Sequence, residues 1–161
     1  MGTGDRVTPK RAVHGRRPWT VEEANQRLPS LQELLPDLRA WIGRLRRVHA
    51  ERRRLAEFWG KEFAAADQPD RALRERLEDE EQALTRRLEE AMDELDQDGI
   101  EVKDIDSGLL DFRSVREGEP ILLCWQRGEE SVAFYHTPEG GFRSRRPISE
   151  AAEARSPPPD L

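Results

Sequence analysis

Cysteine occurs once, at Cys124. One cysteine closes no disulfide within the chain and cannot by itself build a thiolate-rich zinc cage. A lone thiol fits a reducing compartment, so the sequence points to the cytoplasm. Long apolar runs are missing too. No stretch approaches the ~20 apolar residues that a membrane-crossing helix requires, and the opening segment MGTGDRVTPKRAVHGRRPW lacks the apolar core of a signal peptide. Aromatic residues make up 6% of the 161 positions and hydrophobic residues 35%, which argues against a thick core. Charge is what the chain has instead. Charged residues reach 37%, against roughly 25% in an ordinary globular domain. That balance suits a long amphipathic helix pair. With 27 basic and 33 acidic residues the net charge is −6, which disfavours a chain given over to polyanions while allowing a local basic patch.

Residues 1–17 carry five basic side chains against Asp5, a net of +4, with no periodicity, and read as a disordered basic tail. At the other end Ser156-Pro157-Pro158-Pro159 can continue neither a helix nor a strand ladder, so residues 149–161 read as a disordered proline-rich tail. A single domain is expected between them, over 18–148, with helices in about 20–97 and a β-unit in about 100–136.

Thr20 followed by Glu23 is a capping box and predicts a helix start. Pro29 has no N–H to donate, so a kink or a restart at Ser30 is expected there. From Leu31 the apolar positions Leu34, Leu38, Trp41, Leu45, Val48, Leu55 and Trp59 keep the three-and-four spacing of a coiled-coil seam. A helix from Ser30 to Ala66 would extend about 54 Å at 1.5 Å per residue. The segment Asp67-Gln68-Pro69-Asp70 predicts a turn, with Asp70 capping the next helix. That helix carries Leu73, Leu77, Leu84, Leu88, Ala91 or Met92, and Leu95, and ends at Gly99, suited to a left-handed C-cap. Two such stripes joined by a turn make an antiparallel hairpin. Arg52 and Glu80 fall on the seam, so the pairing there is either locally polar or open to a third element.

After Gly99 the pattern shortens. Ile100, Val102 and Ile105 precede apolar runs at Leu109–Val115, Pro120–Arg127 and Ser131–His136, bounded by turn residues, which read as a three- or four-stranded meander. Two-residue turns at Glu117-Gly118 and Gly128-Glu129 would set the register. Leu110 and Phe112 then lie beside Trp125 and Leu123, with Val132 and Phe134 on the same apolar face, packed on the hairpin. The fold class is α+β: a long two-helix, coiled-coil-like hairpin followed by a small antiparallel meander.

Several of these residues form a pattern of their own. Trp19-Thr20-x-Glu22-Glu23-Ala24-Asn25-x-x-Leu28-Pro29 is followed by Gly99-Ile100-x-Val102-Lys103-Asp104 and Gly108-Leu109-Leu110-Asp111-Phe112. Leu123-Cys124-Trp125, Gly128-Glu129-Glu130, Tyr135-His136 and Gly141-Phe142 complete it. In this order and spacing the chain, over about 18–148, resembles the bacterial domain-of-unknown-function family 2203. The resemblance implies a helical segment followed by a short β-rich motif, and carries no activity. Arg113 stands where that family is expected to have proline after Asp-Phe, and the tails are longer.

The residues with chemistry to offer are Asp111, Cys124, Glu129, Glu130 and His136, types that ligate transition metals or move protons. The expected register sets Asp111 opposite Cys124 on one face and puts His136 on the other with Ile121 and Leu123, so a shared site needs a bulge, a slipped register or a His136 outside the strand. The plainer readings are a buried, inert Cys124 and a His136 that ends its strand and bonds the Thr137–Gly141 loop. Gly140-Gly141 lacks the strand-before and helix-after context of a phosphate loop. Trp125, Phe134, Tyr135 and Phe142 read as core or rim of the sheet.

Arg44, Arg46 and Arg47 with Arg52, Arg53 and Arg54 invite a nucleic-acid reading. At about 100° per residue they spread around the helix, and acidic residues from Glu75 to Glu94 offer them interhelical partners. The basic tail leaves weak, salt-sensitive nucleic-acid contact as the remaining route. The favoured function is a non-enzymatic interaction module whose hairpin meets a protein partner or a second copy, since Trp41, Phe58, Trp59 and Phe63 exceed what one narrow seam uses. The alternative is a metal- or small-ligand-binding protein with its site on the β-unit. No particular cofactor is specified.

Overall fold

The capping box forms as the sequence predicts: Thr20 Oγ1 accepts from Glu23 N at 3.1 Å and Glu23 Oε2 accepts from Thr20 N at 3.1 Å. In the computed structural model, which describes residues 17–149, this cap opens α1 (Val21–Trp59). The two tails read from the sequence lie outside the described residues, apart from Arg17 and Ser149. Helix α1 passes through Pro29 and Pro36 unbroken, so the expected restart at Ser30 is corrected. Each proline removes one N–H bond. The helix nevertheless buries Ala24, Leu28, Leu31, Leu35 and Leu38 on one stripe, and that burial holds both turns in line.

Helix α1 is also shorter than expected. It stops at Trp59, where Gly60 takes φ +53 and a short 3-10 turn, Gly60–Glu62, follows. Helix α2 (Arg71–Gln97) begins after Asp70, which makes no side-chain cap bond; its Oδ2 accepts from Trp59 Nε1 at 3.0 Å and ties the turn back onto α1. Gly99, at φ +75, closes α2 as predicted. The seam is locally polar at its breaks. Arg44 Nη2 donates to Glu80 Oε2 at 2.8 Å, and Arg52 pairs with Glu78 and Glu81.

The sheet has five antiparallel strands in chain order: β1 (Ile100–Asp104), β2 (Leu109–Arg116), β3 (Glu119–Gln126), β4 (Phe134–His136) and β5 (Arg146–Pro147). The fifth, an edge strand ending in proline, was not expected. Glu117 (φ 53) and Gly118 (φ 79) make the tight β2–β3 turn, and the register pairs Asp111 with Cys124 and Phe112 with Leu123 as predicted. One face of the sheet packs on the helices, burying Trp19, Ile100, Leu110, Phe112, Leu123, Trp125 and Val132 with the α1 stripe. Trp19 meets Phe112 edge-on at 5.4 Å between ring centroids.

The β3–β4 connection departs from expectation. Gly128-Glu129 is not a two-residue hairpin turn; residues 127–133 form a longer loop and the register slips by one, pairing Leu122 with His136, Leu123 with Tyr135 and Cys124 with Phe134. The cause is a set of bonds made within the loop and from the loop to α1. Glu129 Oε2 accepts from Gln126 N at 2.8 Å, Trp125 Nε1 donates to Glu129 O at 3.0 Å, and Val132 N donates to Asn25 Oδ1 of α1 at 2.7 Å. Phe134 therefore lies on the outer face, and Tyr135 takes the place on the core face that the sequence reading gave to Phe134.

Candidate functional site

A side-chain period of two means that a slip by one residue turns every side chain of a strand over. That slip brings His136 to the face of Asp111 and Cys124, correcting its assignment to the opposite one. The three residues are buried, and one ligand atom from each lies within 4.8 Å of the others. His136 Nε2 stands 3.0 Å from Asp111 Oδ2, and its Nδ1 stands 2.7 Å from Thr137 O. A carbonyl oxygen can only accept, so Nδ1 carries a hydrogen and Nε2 is the nitrogen turned toward Asp111 and Cys124. The other carboxylate oxygen, Asp111 Oδ1, is buried and receives no hydrogen bond. Free buried carboxylate oxygens are costly, which makes this one notable.

Burial, reinforced by the negative charge of Asp111, pushes the Cys124 thiol up to about 12, and Arg145 beside it acts in the opposite direction. Cys124 is thus a protonated, inert thiol unless a stronger positive charge takes the proton's place. Arg145 also donates from Nη1 to Glu129 Oε1 at 2.7 Å and lies over the rings of Phe134 and Phe142, at 4.3 and 4.1 Å from their centroids. The segment 137–145 is folded over the outer face in this way.

Of the five residues singled out by sequence, the fold joins Asp111, Cys124 and His136. Glu129 is committed to Arg145 and the Gln126 N–H, and Glu130 is exposed. The bond from His136 to the loop that follows it was read from the sequence and is made at the Thr137 carbonyl. One contributor, Arg145, escaped that reading. Arg145 gives no local signal, being one arginine in the run Arg143-Ser144-Arg145-Arg146.

The motifs at either end of the described chain are now seen to meet. Trp19 N donates to Arg113 O at 3.0 Å, Trp19 Nε1 donates to Asp98 O at 2.7 Å, and Asn25 holds Val132. The family described as "Uncharacterized conserved protein (DUF2203)" matches residues 17–148. The chain belongs to that family. The DUF2203 match spans both helices and all five strands, including the Asp111, Cys124 and His136 cluster. No curated protein and no solved structure was found to match. No helix among the described residues is long and apolar enough to cross a membrane.

Proposed function

We propose that this DUF2203 protein binds one divalent transition-metal ion through Asp111 Oδ, Cys124 Sγ and His136 Nε2. The observation that carries this reading is the convergence of the three atoms within 4.8 Å, with His136 held by Thr137 so that Nε2 faces inward. Ligands on a tetrahedral ion with bonds of 2.0–2.3 Å stand about 3.3–3.8 Å apart, so small side-chain movements suffice. A backbone carbonyl bound to the far imidazole nitrogen is the usual device that orients a metal-ligating histidine. Charge supports the same reading. One carboxylate and one thiolate cancel a dication, while Arg145 and Glu129 cancel each other. A thiolate, an imidazole and a carboxylate suit a borderline ion such as zinc. Because the cluster is buried, the ion would pin the 137–145 segment to the sheet, a structural or sensing role and not a catalytic one. A reducing cytoplasm would keep Cys124 available as a ligand.

The test is elemental analysis of the untagged protein, followed by cobalt titration of metal-free material. About one ion per chain and a thiolate-to-cobalt charge-transfer band are expected, both lost in Cys124→Ser and His136→Ala and both retained in Glu130→Gln. Protein that takes up neither zinc nor cobalt, or uptake that survives both substitutions, would overturn the reading.

A second reading, a hairpin that meets a second copy of itself, rests on one observation. Phe58 is 78% exposed at the far end of the hairpin, beside a groove lined by Leu55, Leu73 and Leu77 and edged by Glu51 and Arg54. Opposite charges on one patch allow self-complementary pairing across a two-fold axis. Sedimentation at micromolar concentration should then show a dimer that Phe58→Ser dissociates, and a monomer throughout would dismiss it.

A further inference from the structure

On the face of the sheet away from the Asp111, Cys124 and His136 cluster, the start of α1 leaves the end of β2 and the start of β3 uncovered among the described residues. A cleft of about 560 Å³ opens there, lined by Trp19, Ile121, Leu123, Tyr135, Ile148 and Arg116 among others. Its volume falls in the range of roughly 300–1,000 Å³ that holds small molecules. The lining divides by chemistry. Trp19, Ile121, Leu123 and Ile148 make an apolar wall, whereas Arg116 is the one cation named among the lining residues. Its guanidinium lies 4.6 Å from the Tyr135 ring centroid and makes no ion pair among the described residues. Ser114 is already committed, donating from Oγ to Trp19 O at 2.5 Å.

We infer that this cleft binds a small amphipathic anion: a flat or short apolar body lies on the half-buried wall of Ile121, Tyr135 and Ile148 and a single carboxylate meets Arg116. Arginine is the cation suited to this task, since its planar fork takes a carboxylate through two parallel bonds while its face stays stacked on an aromatic ring. Thr20 and Val21 at the start of α1 also line the cleft, but Glu22 and Glu23 occupy the same turn, so Arg116 supplies the selectivity for charge. The apolar wall supplies the rest. A compact anion such as phosphate would leave that wall wet and gain little.

The experiment is titration of the full chain with 2-naphthoate, followed by calorimetry and by amide shifts of Leu123, Tyr135 and Ile148. Saturable one-to-one binding is expected, at least tenfold weaker in Arg116→Gln, partly restored in Arg116→Lys, and weakened likewise when the probe is 2-naphthylmethylamine. Ile121→Trp, which fills the cleft, should abolish it with the fold intact by circular dichroism. Equal binding of acid and amine, unchanged affinity in Arg116→Gln, shifts confined to other surfaces, or no saturation would each overturn the proposal. So would a probe site that appears only as a dimer dissociates, since that assigns the cleft to a second copy of the chain. None of these readings depends on metal content.

Discussion

Across the hairpin, Arg44 meets Glu80 and Arg52 meets Glu81 with side chains open to water, whereas in the sheet Asp111 meets His136 with both side chains 2% exposed. The first kind of pair is screened and replaceable, its gain offset by the loss of side-chain freedom. The second has given up its hydration, so each partner depends on the other and on whatever else shares the pocket. Charge abundance in this chain is therefore misleading as a guide to where charge matters. Most of it lies along two helices in contact with water, and the consequential part is the buried Asp111–His136 pair in the sheet.

The sharpest way to break that contrast is Asp111→Ala. Removing one partner of a buried pair should cost about 3–5 kcal/mol in urea unfolding, and a loss below about 1 kcal/mol would put the cluster on the same footing as the hairpin pairs. Next in size is Gly108→Ala. Its φ is +69 and an added Cβ would stand 2.8 Å from Arg127 Cβ, so a loss of about 1–2 kcal/mol is expected from the backbone alone, read as a lower unfolding midpoint. Gly118→Ala, which meets nothing within 4 Å, should lose less despite its positive φ.

A smaller effect comes from Glu101. Burial is the largest single influence on its carboxyl and pushes it up, but bonds from Lys103 and Arg113 together hold it below the usual carboxylate range. A lowered folded-state value means the contribution is present above the unfolded value, about 4.3, and is lost as pH falls through the folded one. Stability should therefore drop in acid, and Glu101→Gln should flatten the slope below about pH 4 in a pH series of melts. The smallest effect belongs to the hairpin. Arg44→Ala should leave the unfolding midpoint within error at physiological salt, although the bond it donates to Glu80 raises the Arg44 guanidinium and the pair is well formed.

Much of this was legible in the residues. The capping box at Thr20 and Glu23, the stop at Gly99, and the Glu117-Gly118 turn that sets Asp111 against Cys124 each follow from local chemistry. What failed to be legible depends on contacts far apart in sequence. The slipped register of β4 is held by Glu129 on Gln126 and by Asn25 on Val132, and the latter pair is 107 residues apart. Pro29 and Pro36 stay helical because of what their neighbours bury, and Asp70 serves Trp59 and not its own helix. The site followed the same division: Asp111, Cys124 and His136 were named as chemical types, but their meeting required a register that no local signal gives.

The central claim is that those three side chains close on one metal ion, and X-ray absorption at the metal edge of the full-length protein tests it most directly. The account predicts one sulfur at about 2.3 Å and nitrogen or oxygen neighbours, one of them imidazole, at about 2.0–2.1 Å, with the sulfur lost in Cys124→Ser. A bound ion with no sulfur neighbour, or a spectrum unchanged by that substitution, would contradict it.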